Sequence, residues 1–307
     1  MLHFGTDGVR GVALEELTAG DVRDLARAVA RVLAPESVVV GRDTRESGPE
    51  LERAIVDGFA AEGTTVDLLG VVPTPAVAFA AERTGAVGIA ITASHNPWTD
   101  NGVKVFAAGG SKLSDAQQID IEREWHALST ASPVVALGTV RDCSGLVGDY
   151  AAHRAVVAGA GALRGLTVVV DCANGAMATV APGVLRTLGA DVIAMNDAPD
   201  GRNINNACGA AYPQPLASRV AAEGADLGVA FDGDGDRVIA VDRSGRVVDG
   251  DTIMAIAAVD LAERGLLRNR QVAVTVMTNL GFHRAMEAAG IGTVVTPVGD
   301  RSVLAAL

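Results

Sequence analysis

Aromatic residues make up only 3% of the 307-residue chain. That scarcity argues against an aromatic-rich β-sandwich and suits tightly packed α/β layers built from the abundant Gly and Ala. Cysteine occurs only at Cys143, Cys172 and Cys208, far apart and without a CxxC pair. Neither a disulfide framework nor a zinc site is indicated, and a reducing cytosol is the natural setting. Lysine is confined to Lys104 and Lys112, and the formal net charge is −12. No cationic cluster offers itself to a phosphate backbone, so nucleic acid is not an expected partner. An anionic substrate would need a local basic site. No apolar run approaches the length of a membrane span, and the N-terminus, MLHFGTDGVRG, lacks a basic region followed by a hydrophobic one. The chain therefore reads as cytoplasmic, unprocessed and free of membrane partners. Two motifs are also missing: without GxxxxGK[ST] there is no P-loop, and without GxSxG there is no nucleophile elbow of the α/β-hydrolases.

What is present is an alternation of strand-like and helix-like stretches in three blocks. In the first, SVVVGRD (37–43) reads as a buried strand, and Ser47 with Glu50 reads as a capping box for a helix that runs to about Ala61. TVDLLG and AVGIAIT are further strands, separated by a helix after Pro73-Thr74-Pro75. A helix capped by Ser114 and Gln117 leads to LSTASPVVALG, which reads as a linker. The second block runs through LTVVVDCANGA, ADVIAM, an Asn-rich loop and ADLGVAFDGDGDRVIAVD. The third block, from DGDTIMAIAAVDLAERG to GTVVTPVGDRS, reads helix, strand, helix, strand. Such alternation predicts mostly parallel sheets with crossover helices, and the 307-residue length allows two or three domains.

Two constellations carry chemistry. In FDGDGDR, Asp232, Asp234 and Asp236 alternate with glycines directly after a strand. Carboxylates about 5 Å apart repel by roughly 3 kcal/mol per pair at an effective dielectric near 20, so a fixed loop of three calls for a cation. Hard oxygen ligands in that number suit Mg²⁺. An EF-hand is excluded, because Arg237 and Arg243 stand where its Gly and Glu would fall. The second constellation is TASHNPWTDNGVK. Ser94 lies in a loop at the carboxyl end of a buried strand, where α/β folds place ligands, and Asn96-Pro97 with Gly102 are expected to hold that loop in a defined, exposed shape. A hydroxyl loop, three aspartates with an adjoining Arg237, and Lys104 are together the parts of a phosphoryl-transfer site. An aspartate-nucleophile phosphatase is the competing class. It expects a lysine downstream of the acids, yet none follows Lys112.

FGTDGVRG, TASHNP, DGDGDR and the terminal VGDR, in this order, resemble the α-D-phosphohexomutase superfamily. PDGRNINNACG and VMTNLGF are most similar to its bacterial phosphoglucosamine mutase branch, with phosphoglucomutases and phosphomannomutases as alternatives. The run CGAAYPQP and Ser302 depart from that branch's usual pattern. The resemblance implies phosphohexomutase-like tandem α/β domains with mixed, mostly parallel sheets: a phosphoserine-loop domain (1–148), a metal-binding domain (149–248) and a sugar-binding domain (249–307). It also implies that the third domain is incomplete and the fourth absent, so that a fragment which binds Mg²⁺ without turning over is a further expectation. Carried over by position, Ser94 is the phosphoserine, and Asp232, Asp234 and Asp236 bind Mg²⁺ together with a Ser94 phosphate oxygen. Lys104 is the general acid/base, His95 shapes the loop and shuttles protons, and Arg10 and Arg237 face the phosphoryl group. The implied partner is a phosphosugar.

Overall fold

The computed structural model describes residues 2–5, 8–128 and 138–307. Most of the expected linker, 128–138, and Thr6-Asp7 of the N-terminal motif therefore lie outside the described residues. The chain forms two compact bodies, Met1–Gly245 and Arg246–Leu307.

The first body contains two sheets. The chain enters through β1 (Val9–Val12), α1 (Ala19–Leu33), β2 (Ser37–Arg42), α2 (Gly48–Ala61), β3 (Thr65–Val71), α3 (Thr74–Thr84) and β4 (Val87–Ile91). It continues with β5 (Asp100–Phe106), α4 (Asp115–Ala127), β6 (Val140–Asp142) and α5 (Gly145–Ala158). These strands make a mixed sheet of order β1-β5-β4-β2-β3-β6. The β2, β3, β4 and β6 pairings are parallel, and β5 runs antiparallel to both β4 and β1. The sheet is covered on both faces, which explains the unbroken apolar runs of its central strands. Val38 and Val40 of β2 pack with Leu25, Ile55 and Trp125 from α1, α2 and α4, whereas Val39 packs with Val77 and Tyr150 from α3 and α5. This is the two-residue period of a strand feeding two cores.

The helix starts follow local chemistry. Thr18 and Asp21 form a capping box for α1, and Ser114 and Gln117 form the expected one for α4. The box expected at Ser47 and Glu50 does not form. Ser47 has helical φ and ψ of −72° and −15°, so its hydroxyl is not aimed at the first-turn amides. Instead it accepts a hydrogen bond from buried Asn101 Nδ2 at 2.9 Å, which satisfies a group that would be costly to leave unpaired.

The second sheet is built from β7 (Thr167–Asp171), β8 (Asp191–Met195), β9 (Leu227–Phe231) and β10 (Val238–Asp242), with helices α6 (Ala181–Thr187) and α7 (Gln214–Glu223). Its order within this body is β10-β9-β7-β8, with β7 parallel to β8 and β9 and only β10 antiparallel. The helical stretch between β7 and β8 is divided into a 3₁₀ turn, Ala176–Thr179, and α6. Pro182 lacks the amide that a continuous helix would need there.

The second body has helices Gly250–Glu263, Leu280–Ala288 and Asp300–Ala306 and the parallel strands Gln271–Thr275 and Gly292–Thr296. Its small core gathers Ala258, Val274, Phe282, Met286 and Ile291.

Candidate active site

The first body brings the predicted site residues together where the carboxyl ends of β4 and β9 meet. Ser94 follows β4, and its Oγ donates to Asp232 Oδ2 at 2.6 Å. The exposed loop expected from the sequence is a correction here: Ser94 is only 1% exposed. Lys104 is also not in a loop. It lies on β5, opposite Ala90, and Gly102 belongs to the same strand. That strand carries the ammonium into the acidic loop, where Nζ lies 2.7 Å from both Asp234 Oδ2 and Asp236 Oδ2. Arg10 belongs to β1 and donates from Nη1 to the Ala93 carbonyl at 3.4 Å. The Arg237 amide donates to Asp232 Oδ1 at 3.2 Å. His95, exposed at the loop's edge, lines a cavity of about 350 Å³ together with Asp232 and Arg237.

The glycines between the aspartates are required by close approach. A Cβ on Gly233 would lie 2.7 Å from the Ser94 carbonyl oxygen, and Gly235 has a left-handed φ of +70°. Both positions let the acidic loop turn beneath the serine loop. The three carboxylates each place an oxygen within 4.8 Å of the others. Asp232 and Asp234 are 1% exposed, and buried Asp234 Oδ1 has no hydrogen-bond partner. Three converging carboxylates, one of them with an orphaned oxygen, fit a hard cation.

Electrostatics express the same strain. Burial, reinforced by Asp234 and then Asp236, pushes the Asp232 carboxyl up to about 7, against the opposing hydrogen bonds from Ser94 and the Arg237 amide. The His95 imidazole is held below its ordinary value, first by desolvation and then by Arg237 and Arg10. That shift favours the neutral imidazole.

Domain models of the phosphoglucomutase/phosphomannomutase family match the chain in order: α/β/α domain I over residues 1–132, domain II over 149–245 and domain III over 249–307. The chain belongs to this family, within the phosphohexomutase superfamily. A phosphoglucosamine mutase of Frankia casuarinae is 52% identical over 98% of this chain, which spans 69% of that relative. One from Moorella thermoacetica is 50% identical with the same coverage, 98% and 69%. A crystal structure of a phosphoglucomutase/phosphomannomutase family protein from Burkholderia thailandensis superposes with a TM-score of 0.83 at 28% identity, covering 98% of this chain and 68% of the other. Among the described residues no helix is long and apolar enough to cross a membrane.

Sequence reasoning passes over one hydroxyl in this phosphohexomutase site. Thr74, at the start of α3, donates from Oγ1 to Asp234 Oδ2 at 2.5 Å, and its amide donates to the Asp234 carbonyl at 2.9 Å. Its flanking prolines mark a helix start and give no hint of an acidic partner some 160 residues away.

The raised Asp232 carboxyl has a measurable consequence in metal-free protein. Because its folded value exceeds its unfolded one, the native state holds an extra proton between about pH 4 and about pH 7, and stability falls as pH rises through that window. Urea melts in EDTA are expected to show parent protein losing roughly 2 to 3 kcal/mol more than Asp232→Asn between about pH 5 and about pH 8. Parallel pH profiles for the two proteins would refute the assignment.

Proposed function

We propose that the chain is an isomerase that interconverts glucosamine 6-phosphate and glucosamine 1-phosphate in the cytoplasm, with Ser94 as the phosphate carrier. The observation that carries this reading is the Ser94 hydroxyl bonded at 2.6 Å to the first of three convergent aspartates whose other two members share one lysine. The names and the roughly half-identical sequences of the bacterial relatives support the sugar assignment.

Asp232, Asp234 and Asp236 hold Mg²⁺, which supplies charge neutralisation for a transferring phosphoryl group. Phosphoryl transfer demands mainly positioning and electrostatic stabilisation, and the residues around Ser94 provide both. Phosphorylated Ser94 gives its phosphoryl to the C1 hydroxyl of glucosamine 6-phosphate, forming a bisphosphate and freeing the serine oxygen. After the sugar reorients, Ser94 attacks the phosphorus at C6, and glucosamine 1-phosphate leaves. Lys104 takes up or returns the hydroxyl proton in each half-reaction, and neutral His95 shapes the loop and relays protons to the cavity. Arg10 and Arg237 bring positive charge to the phosphoryl oxygens from β1 and from the acidic loop.

Incubation with a hexose 1,6-bisphosphate and Mg²⁺, followed by phosphopeptide mass spectrometry, is expected to place one phosphate on Ser94. A coupled assay is then expected to favour glucosamine over glucose and mannose phosphates. Phosphate on Thr74, the other hydroxyl facing the aspartates, would overturn the serine assignment. A preference for glucose or mannose phosphates would move the chain to another branch of the family.

A further inference from the structure

Arg45 is the largest side chain that is fully buried, at 0% exposure. Its Nε lies 2.9 Å from Asp43 Oδ2. Nη1 donates to the carbonyls of Asp100, at 2.9 Å, and Pro97. Nη2 donates to those of Ser94 at 3.0 Å and Asn96 at 2.9 Å. The guanidinium has five N–H donors in a rigid planar fork, and each has an acceptor here. Four of the five acceptors are backbone oxygens, three in the turn that carries Ser94 and one on Asp100 at the start of β5. Asp43 is itself fixed, because it accepts from the Arg45 amide at 3.0 Å and from the Thr92 hydroxyl at 2.7 Å.

Asn205 approaches the same turn from the Asn-rich loop of the second sheet. Its Nδ2 donates to the Ser94 carbonyl at 2.8 Å and to the Asn96 carbonyl at 3.1 Å. These two carbonyls are thus gripped twice, once by a residue after β2 and once by a residue after β8. Ser94 needs such a grip: its φ is +54°, a region that a serine occupies only when its surroundings impose it. Asn205 is itself left-handed, at φ +58°, a conformation asparagine tolerates better than most residues.

We propose that Arg45 and Asn205 are positioning residues for Ser94, a two-sided latch that holds the serine turn in the conformation from which its hydroxyl exchanges phosphate. The proposal rests on the reading of Ser94 as the phosphate carrier. The hydrogen bonds given above for the two side chains go to Asp43 and to backbone carbonyls, and none goes to the Ser94 hydroxyl or to Asp232, Asp234 or Asp236. The latch therefore acts on the rate of transfer and leaves metal affinity to the acidic loop.

The decisive variants are Asn205→Gly, which keeps the left-handed backbone and removes both amide bonds, and Asn205→Asp, which keeps the shape but turns carboxylate oxygen toward two carbonyls. Arg45→Lys is a third, retaining the charge with at most three donors. The expected result has two arms. Amide hydrogen exchange over residues 93–101 should accelerate at least about tenfold while the sheets stay protected. The rate of phosphate incorporation at Ser94 from a hexose bisphosphate should fall at least about tenfold with KM and Mg²⁺ affinity within about twofold of parent. Unchanged loop exchange in both Asn205 variants, or accelerated exchange with unchanged incorporation, would overturn the latch. If Arg45→Lys does not fold, the Asn205 pair carries the test. If the parent itself takes no phosphate on Ser94, the mutase reading fails, and the exchange arm alone then decides whether the turn is held from both sides.

Discussion

Ser94→Ala is expected to take no phosphate from a hexose bisphosphate and to lose glucosamine phosphate interconversion by at least roughly 10⁴-fold, because a removed nucleophile leaves only binding and electrostatics behind. The fold should survive. The turn's backbone is held through the carbonyls of Ser94 and Asn96, which the substitution leaves in place. What disappears is the 2.6 Å hydrogen bond to Asp232 Oδ2, so metal-free stability should drop by about 1 to 3 kcal/mol, the ordinary result of leaving a buried acceptor without its donor. The neighbouring hydroxyls are poor replacements. Thr92 donates to Asp43 at 2.7 Å and accepts from the Ser94 amide at 2.9 Å, so it is already engaged in holding the turn. Thr74 faces Asp234 but sits at the first turn of α3, with its amide and hydroxyl both committed to that residue. Intact-mass and peptide analysis of Ser94→Ala decides the point: undiminished turnover, with phosphate on any other residue, would remove Ser94 from the centre of the chemistry.

The parts of the site written as compact local patterns are legible in the sequence. Three aspartates alternating with two glycines after an apolar run announce convergence, because only glycine permits the approach found at residue 233. A serine at the end of a run as apolar as β4, all five residues of which are buried, likewise marks the carboxyl edge of a sheet. Reading the alternation of strands and helices from residue 37 onward recovers most of the strands and helices after it that build both bodies, but it passes over β5, β6, α5, α7 and the last helix, Asp300–Ala306. It passes over β1 and α1, although Thr18 with Asp21 is the same kind of cap as Ser114 with Gln117. It also mistakes β5 for a loop. DNGVKVF begins with three residues that favour turns, and pairing on both sides, with β1 and β4, overrides that preference. Arg45 and Asn205 are illegible for a different reason. Their partners are backbone carbonyls, which every residue carries, so nothing in the sequence at residues 94–100 advertises an arginine 49 positions upstream or an asparagine 111 positions downstream.

Lys104→Met is expected to produce opposite changes in stability and metal affinity. In metal-free protein Lys104 Nζ lies 2.7 Å from Asp234 and Asp236, inside a group of carboxylates of which two are almost fully buried. Removing one member of a buried charge pair leaves the other uncompensated and costs about 3 to 5 kcal/mol. Urea melts in EDTA should show a loss of that size. Mg²⁺ should reverse most of it, since a divalent ion supplies the missing charge to the same oxygens. The variant should also bind Mg²⁺ at least about tenfold more tightly than parent, because a unit positive charge roughly 4 Å from the site opposes binding of a divalent cation by up to about 8 kcal/mol at an effective dielectric near 20. Phosphate transfer to Ser94 should nonetheless fall by about 10²-fold or more even in saturating Mg²⁺, for methionine can neither accept nor return a proton. Calorimetry, denaturation and single-turnover phosphorylation on one variant therefore separate two roles of one residue. A stability loss that Mg²⁺ leaves untouched would mean that Lys104 supports the fold by packing of its stem along β5. Full-rate transfer in saturating Mg²⁺ would mean that its charge serves only the metal-free loop and that the proton travels by His95.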